Sequence, residues 1–388
     1  MKVPLAWLNL THDKRRFLVA VAGITFAVLL MFMELGFWNG MLDSVVGLIN
    51  RFNADLVIVN KLKYALYVNE TFTRHRLEQA GAVEGVAHTY PLYMEFARSL
   101  WRSTRHRGRG EPINNPIRVI GYDPLTPVLD IPAVQEHASE LLLPDTALID
   151  VRSKAQYGSP EPGTTTELSQ RTVRVVGNFT LGTDFTADGN LIMSDGNFAH
   201  FFPAASPRTN PLDQVQVGLV RLRGGADPVR VQQQLRDALP DDVEVFTKQE
   251  FADQEMHFWQ TSSPIGFIFG LGLAMGFVVG VVICYQILSA DIGDHLSEYA
   301  TLKAIGYGNR FLTRVVMGEA LWLALLGFLP GYILGRVLYD LVENGTGMPM
   351  RLTWNRAALV LGLTVAMCLT SGVIAIRKVQ AADPAEVF

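Results

Sequence analysis

Cysteine is nearly absent: the 388 residues hold two, Cys284 and Cys368, both inside apolar runs. That excludes a disulfide scaffold, a CxxC redox site and a cysteine zinc site. Charge is scarce as well. Only 18% of residues are Asp, Glu, Lys or Arg, against about 25% in soluble globular domains. Neither sign dominates, since 33 Lys+Arg face 37 Asp+Glu for a net of −4, and no global basic field points to nucleic acid. Phosphate-cradling loops are missing too, with no GxxxxGKS/T and no GxGxxG after a strand. Any ATP-driven work needs another chain. HExxH, GxSxG and SxxK do not occur, and the eight histidines are scattered without metal-ligand spacing. Asp184, Asp188, Asn190 and Asp195 form an acidic stretch that does not match a calcium loop and reads as turn chemistry.

Apolar sequence is what the chain has in excess, 49% of residues with a mean hydropathy of +0.20. Four stretches reach the roughly 20 apolar residues a bilayer span requires: 17–40, 265–288, 315–338 and 357–376. The first is long and shows no small-residue cleavage site, so it reads as a retained anchor, not a cleaved signal. Lys and Arg in the short segments set the orientation. Lys2, Lys14, Arg15 and Arg16 precede span one, Lys303, Arg310 and Arg314 follow span two, and Arg377 and Lys378 close span four. Segments 1–16, 289–314 and 377–388 are thus expected in the cytoplasm of a bacterial inner membrane. Segments 41–264 and the short loop 339–356 are expected outside. The external 224 residues carry a net of −6 and the remainder +2. Glu34, Glu319 and Arg336 sit near span ends, where structural roles suit them.

The external segment reads as mixed α/β. Strands are expected at 55–59, 86–96, 117–122, 215–222 and 243–246, with a helix over 69–80 closed by Gly81. A further helix starts with Asp227 as N-cap and Pro228 in its first turn. The middle, about 126–211, is rich in Pro, Gly, Thr and Asp and is expected to be an inserted all-β subdomain. Phe37, Met41, Val45, Leu48 and Phe52 continue a helical stripe beyond span one, and Thr247-Lys-Gln-Glu250 is a capping box before span two. These predict two helical stalks.

Arg98, Arg102, Arg105, Arg107 and Arg109 form the densest basic run, either a solvated hairpin tip or a surface for docking a partner. Gly272, Gly276 and Gly280 in span two, and Gly327, Gly331 and Gly335 in span three, recur every four residues. Such spacing lets helix backbones approach closely, within one subunit or between two.

The loop between spans two and three is the most informative segment. Ile292, Leu296, Tyr299, Leu302 and Ile305 form a helical stripe, with Asp291, Asp294, Glu298 and Thr301 largely on other faces. Residues 297–306, SEYATLKAIG, resemble the REIGILKAIG-type motif of the MacB/FtsX/LolC class of ABC-transporter permeases. Glu298, Leu302, Lys303, Ala304, Ile305 and Gly306 match, while Ser297, Tyr299, Ala300 and Thr301 depart. The tail 382–386, ADPAE, and the 1+3 arrangement of spans resemble the same class. Residues 4–11 and 30–37 look like its cyanobacterial DevC branch.

The resemblance implies a MacB-like helical membrane protein with a large mixed α/β domain between spans one and two. It implies a non-catalytic permease, homodimeric, whose separate ATPase subunit binds ATP and Mg²⁺. A periplasmic membrane-fusion adaptor, a TolC-like outer-membrane channel and membrane lipids are the implied partners, with no nucleic acid. Lipid, glycolipid or other hydrophobic cargo follows from the DevC likeness. Carried over by position, Glu298, Leu302, Lys303 and Gly306 belong to the ATPase-coupling helix, with Ile292, Leu296, Tyr299 and Ile305 on its stripe. An FtsX-like transmitter controlling a cell-wall hydrolase is the alternative. A membrane-anchored enzyme is a third class, but the external domain offers no nucleophile–base or metal cluster to support it.

Overall fold

The computed structural model describes residues 7, 10, 13–107, 111–158, 161–204, 209–262 and 264–381. They fall into two units, 1–39 with 264–343 and 350–388, and 40–263 with 344–349. Helix α1 (Lys14–Val45) carries the first apolar stretch and continues well past it. It starts where Asp13 accepts the amides of Arg15 and Arg16 at 3.0 and 3.3 Å, two donors that the helix itself cannot serve. A short helix, α2 (Gly47–Asn50), follows at once.

The second unit is an α/β domain. Strands β1 (Leu56–Asn60), β2 (Phe72–Thr73), β3 (Val86–Glu95), β4 (Leu100–Arg107), β5 (Glu111–Pro116) and β6 (Arg118–Tyr122) come first, with helix α3 (His75–Gly81) after β2. Helices α4 (Pro132–Glu136) and α5 (Ala138–Leu141) lead to β7 (Thr146–Asp150), β8 (Thr165–Leu168), β9 (Arg171–Phe179) and β10 (Asn190–Ser194). Helix α6 (Asp195–Phe201), β11 (Gln214–Val215), β12 (Val217–Leu222), helix α7 (Pro228–Ala238), β13 (Val243–Thr247) and helix α8 (Lys248–Thr261) complete it. Eleven strands form one sheet in the order β13-β1-β12-β3-β6-β10-β7-β9-β8-β4-β5. Only β6–β10 and β7–β9 pair in parallel. Every residue of β6, β7 and β10 is buried, including the polar Arg118, Asp150 and Asn190 at their ends. By contrast, β9 alternates, sending Val173, Val175 and Phe179 inward.

Two expectations need correction. The helix expected over 69–80 begins only at His75, because Phe72 and Thr73 extend to pair with Val215 and Gln214. Nor is 126–211 a separate all-β insert. It contains α4, α5 and α6, and β7 to β10 belong to the single large sheet. Trp101, Tyr157, Val173 and Phe198 share one core with Leu56 and Leu235. The Pro- and Gly-rich turns were legible, but strand partnership across more than 60 residues leaves no local trace.

The local signals before span two are realised as hydrogen bonds. Asp227 accepts the Val229 amide at 3.1 Å to start α7. Thr247 accepts the Glu250 amide at 3.1 Å, and Glu250 accepts that of Thr247 at 2.8 Å, to start α8. The Thr247 amide holds the Glu250 carboxyl below its usual range. Helix α8 ends with Ser262 as C-cap.

The other unit holds the remaining apolar helices, α9 (Pro264–Asp294), α11 (Asn309–Thr346) and α12 (Trp354–Ala381), with the short α10 (Leu296–Ala304) between the first two. With α1 they are the four helices long and apolar enough to cross a membrane. The span-three glycines lie against α1. A Cβ on Gly327 would sit 2.4 Å from Ile24, one on Gly331 2.6 Å from Val28, and one on Gly335 3.4 Å from Phe32. In span two, Gly272 faces Glu34, Gly276 faces Met31, and Gly280 faces Met367 and Ala27. The glycine rows therefore pack helices of one subunit. Thr25 Oγ1 donates to the Gly327 carbonyl at 3.2 Å, a bond only that close approach allows. Gly327→Leu is expected to cost about 1–3 kcal/mol from overpacking and to lower both membrane abundance and melting temperature. Gly270→Ala, at a position with nothing within 4 Å, should be neutral in the same assays.

Candidate functional site

The segment expected to couple to an ATPase is built around α10. Helix α9 runs on to Asp294, and α10 ends in a Schellman arrangement. The Tyr307 amide donates to the Leu302 carbonyl and the Gly306 amide to Lys303, each at 3.0 Å. Gly306 has φ +108°, which explains the final glycine of the 297–306 motif. The stripe read from sequence divides into two faces. Ile292 and Tyr299 are buried, and Leu302 packs against the same helical core. Leu296 and Lys303 are half-buried. Ser297, Glu298, Thr301 and Ile305 are exposed, Ile305 at 71%. The outward face thus combines a carboxylate, two hydroxyls and one apolar side chain, while the inward face anchors the helix.

Of the Arg98–Arg109 run, Arg102, Arg105 and Arg107 lie on β4, which pairs with β5 and sets His106 opposite Pro112. Arg98 is bound to Glu95 at 2.6 Å and lies over the Phe202 ring, and Arg102 pairs with Glu167. The side chains of Arg105 and Arg107, and all of Arg109, lie outside the described residues.

Within the α/β domain the structure assembles an ionic network that the sequence did not disclose. Arg118, 2% exposed, donates through Nε to Asn190 at 2.7 Å and through Nη1 to Asp184 at 2.6 Å. Asn190 Nδ2 in turn donates to Asp150 at 2.8 Å and to the Gly182 carbonyl at 2.8 Å. Asp184 also accepts the amides of Thr186 and Ala187, in keeping with the turn reading of this stretch. Thr183 beside it donates to the Thr346 carbonyl at 3.2 Å. Gly347, at φ +75°, passes so close that a Cβ would lie 2.9 Å from the Arg152 carbonyl. Thr183 and Arg152, neighbours of the network, therefore hold Thr346 and Gly347 at the end of α11.

Glu255 on α8 and Lys63 are two further buried ionisable groups of the α/β domain. Glu255 accepts the Leu66 amide at 2.7 Å and Trp259 Nε1 at 2.9 Å. Lys63, 2% exposed, donates to the Val68 carbonyl. Burial pushes the Glu255 carboxyl up to about 7 and the Lys63 ammonium down to about 8. Tyr64, Tyr67, Phe185 and Phe258 ring this site together with Trp259. The i, i+4 spacing of Glu255 and Trp259 was the one available signal. No group of three potential metal ligands occurs among the described residues.

Two family models match the chain. The MacB-like periplasmic core domain matches residues 17–238, and the FtsX-like permease C-terminal domain matches residues 263–384. Among solved structures, the chain is similar to the periplasmic region of MacB from Actinobacillus actinomycetemcomitans, at 10% identity and TM-score 0.36, over 55% of this chain and 96% of that one. It is also similar to the extracellular domain of the noncanonic ABC-type transporter YknZ from Gram-positive bacteria, at 11% identity and TM-score 0.31, over 50% and 99%. No curated protein matches. Four apolar helices and a MacB-like periplasmic core make this a membrane protein with a periplasmic domain, and the chain belongs to the MacB/FtsX class of ABC-transporter permeases.

Proposed function

We propose that the chain is the permease subunit of a tripartite exporter of the DevC type, moving a lipid, glycolipid or other hydrophobic substrate. Two copies form a homodimer in the inner membrane with both termini in the cytoplasm. A separate ATPase, holding ATP and Mg²⁺, docks on the outward face of α10. A periplasmic adaptor and a TolC-like channel continue the path. Class membership supports an ABC ATPase partner and an adaptor in general terms. The observation that carries the reading is the two-faced α10, anchored by Tyr299 and Leu302 while Glu298 and Ile305 stay exposed for a partner. Ser297, where the motif usually has Arg, weakens the polar contacts at the start of that helix.

In reconstituted complex, Glu298→Lys is expected to lower permease-stimulated ATP hydrolysis at least about tenfold, since reversing a charge across an interface costs several kcal/mol. Leu302→Pro should do the same by breaking α10. Both should leave the dimer in the membrane, and unchanged stimulation in both would defeat the docking assignment. Deleting the adaptor and channel separates the two outputs: export is lost with them, whereas FtsX-like control of a hydrolase persists.

A further inference from the structure

Helices α1, α9 and α10 line a cavity of about 860 Å³ beside the N-terminal end of α1, within the helical unit. One wall is apolar, made by Phe17, Val19 and Ala20 with Ile287, Leu288 and Leu323. The opposite wall is ionic. Asp13, Asp291, Asp294 and Glu298 outnumber Arg15 and Arg16, with His295 beside them. Arg16 is already committed, to Asp294 and to Asp13.

Among the described residues, Asp291 and Arg15 are less fully engaged. His295 Nδ1 lies 3.6 Å from Asp291 Oδ1 and donates instead to the Asp291 backbone carbonyl at 2.9 Å. Asp291 Oδ2 is buried and accepts no hydrogen bond. Burial disfavours the charge of that carboxylate, His295 and Arg16 favour it, and Glu298 opposes it. Arg15 engages Asp13 through its backbone amide, and its exposed guanidinium forms no ion pair. Asp291, with one oxygen that accepts no hydrogen bond, and the exposed Arg15 guanidinium therefore line one cavity together with apolar side chains.

We propose that this cavity binds an aminophospholipid of the phosphatidylethanolamine type, its ammonium on Asp291 and its phosphate on Arg15. The volume suits an amphiphile's head and upper chains, and the apolar wall belongs to helices of bilayer length. The acid excess disfavours a purely anionic lipid. A trimethylammonium head carries no N–H and would leave Asp291 without its donor. The site does not depend on the exporter reading.

The test uses the full-length chain in detergent, with phosphatidylethanolamine, phosphatidylcholine and phosphatidylglycerol of identical acyl chains offered together and bound lipid counted by native mass spectrometry. Retention of phosphatidylethanolamine should exceed that of both others at least about tenfold, the factor one charge-assisted hydrogen bond supplies. Asp291→Asn should bring it down to the phosphatidylcholine level without moving the melting temperature. Arg15→Gln should lower both zwitterionic lipids together. Should Asp291→Asn fail to fold, Val19→Trp narrows the cavity from a position 70% exposed and should remove the excess of phosphatidylethanolamine over the other two lipids. Equal retention of the three lipids, preference for phosphatidylglycerol, or a phosphatidylethanolamine preference untouched by the folded variant overturns the proposal.

Discussion

Arg118→Met is expected to destabilise the periplasmic domain by about 3–5 kcal/mol, the usual cost of removing one partner of a buried ion pair. Arg118 and Asp184 have side chains only 2% and 5% exposed. Methionine would leave the Asp184 carboxylate in the interior without its cation, and Asn190 Oδ1 without its donor. For a domain of this size the loss corresponds to a melting temperature lower by roughly 6–20 °C. Adding Asp184→Leu should recover part of it, because no uncompensated charge then remains. The exposed Lys61–Asp241 pair is the contrast, its side chains 50% and 92% exposed. Lys61→Met should change stability by less than about 1 kcal/mol. Equal melting of Arg118→Met and wild type would refute this account.

The melting temperature should pass through a minimum between about pH 7 and 8 because of Glu255 and Lys63. The folded state raises Glu255 from 4.5 to about 7. It therefore binds this proton more tightly than the unfolded chain, and stability falls as pH rises from about 4.5 to about 7. The folded state lowers Lys63 from 10.5 to about 8. Here the unfolded chain binds the proton more tightly, and stability climbs as pH rises from about 8 to about 10.5. Each limb is on the order of 3 kcal/mol. Glu255→Gln should flatten the acid limb and leave the alkaline one, read by Trp fluorescence during thermal melting of the full chain at a series of pH values. An acid limb of the same slope in Glu255→Gln would place its origin elsewhere.

Local chemistry was legible wherever a residue acts on its own neighbours. The capping box of α8, the Asp227 cap of α7 and the apolar lengths of α1, α9, α11 and α12 need only a few consecutive side chains, and the structure has each of them. Gly306 could be placed at the end of the coupling helix because a left-handed C-terminal position favours glycine. The glycine rows were visible too, but not their partners. That Gly327 meets Ile24 and Gly331 meets Val28 depends on how α1 and α11 cross.

What the sequence determined alone was the order of apolar and aqueous segments, the mixed α/β character of the inserted domain, and the short helix after span two with its terminating glycine. These are set by composition and by periods of two and 3.6 residues, which are local properties. The tertiary structure decided the rest. It merged the supposed insert into one eleven-stranded sheet, and turned Ile292 and Tyr299 inward while leaving Glu298 and Ile305 outside. It also joined Arg118 to Asp184 and Leu66 to Glu255, partners 66 and 189 positions apart. Such pairs exist only after loop closure has brought distant segments together, and burial then gives them a strength that no spacing rule carries.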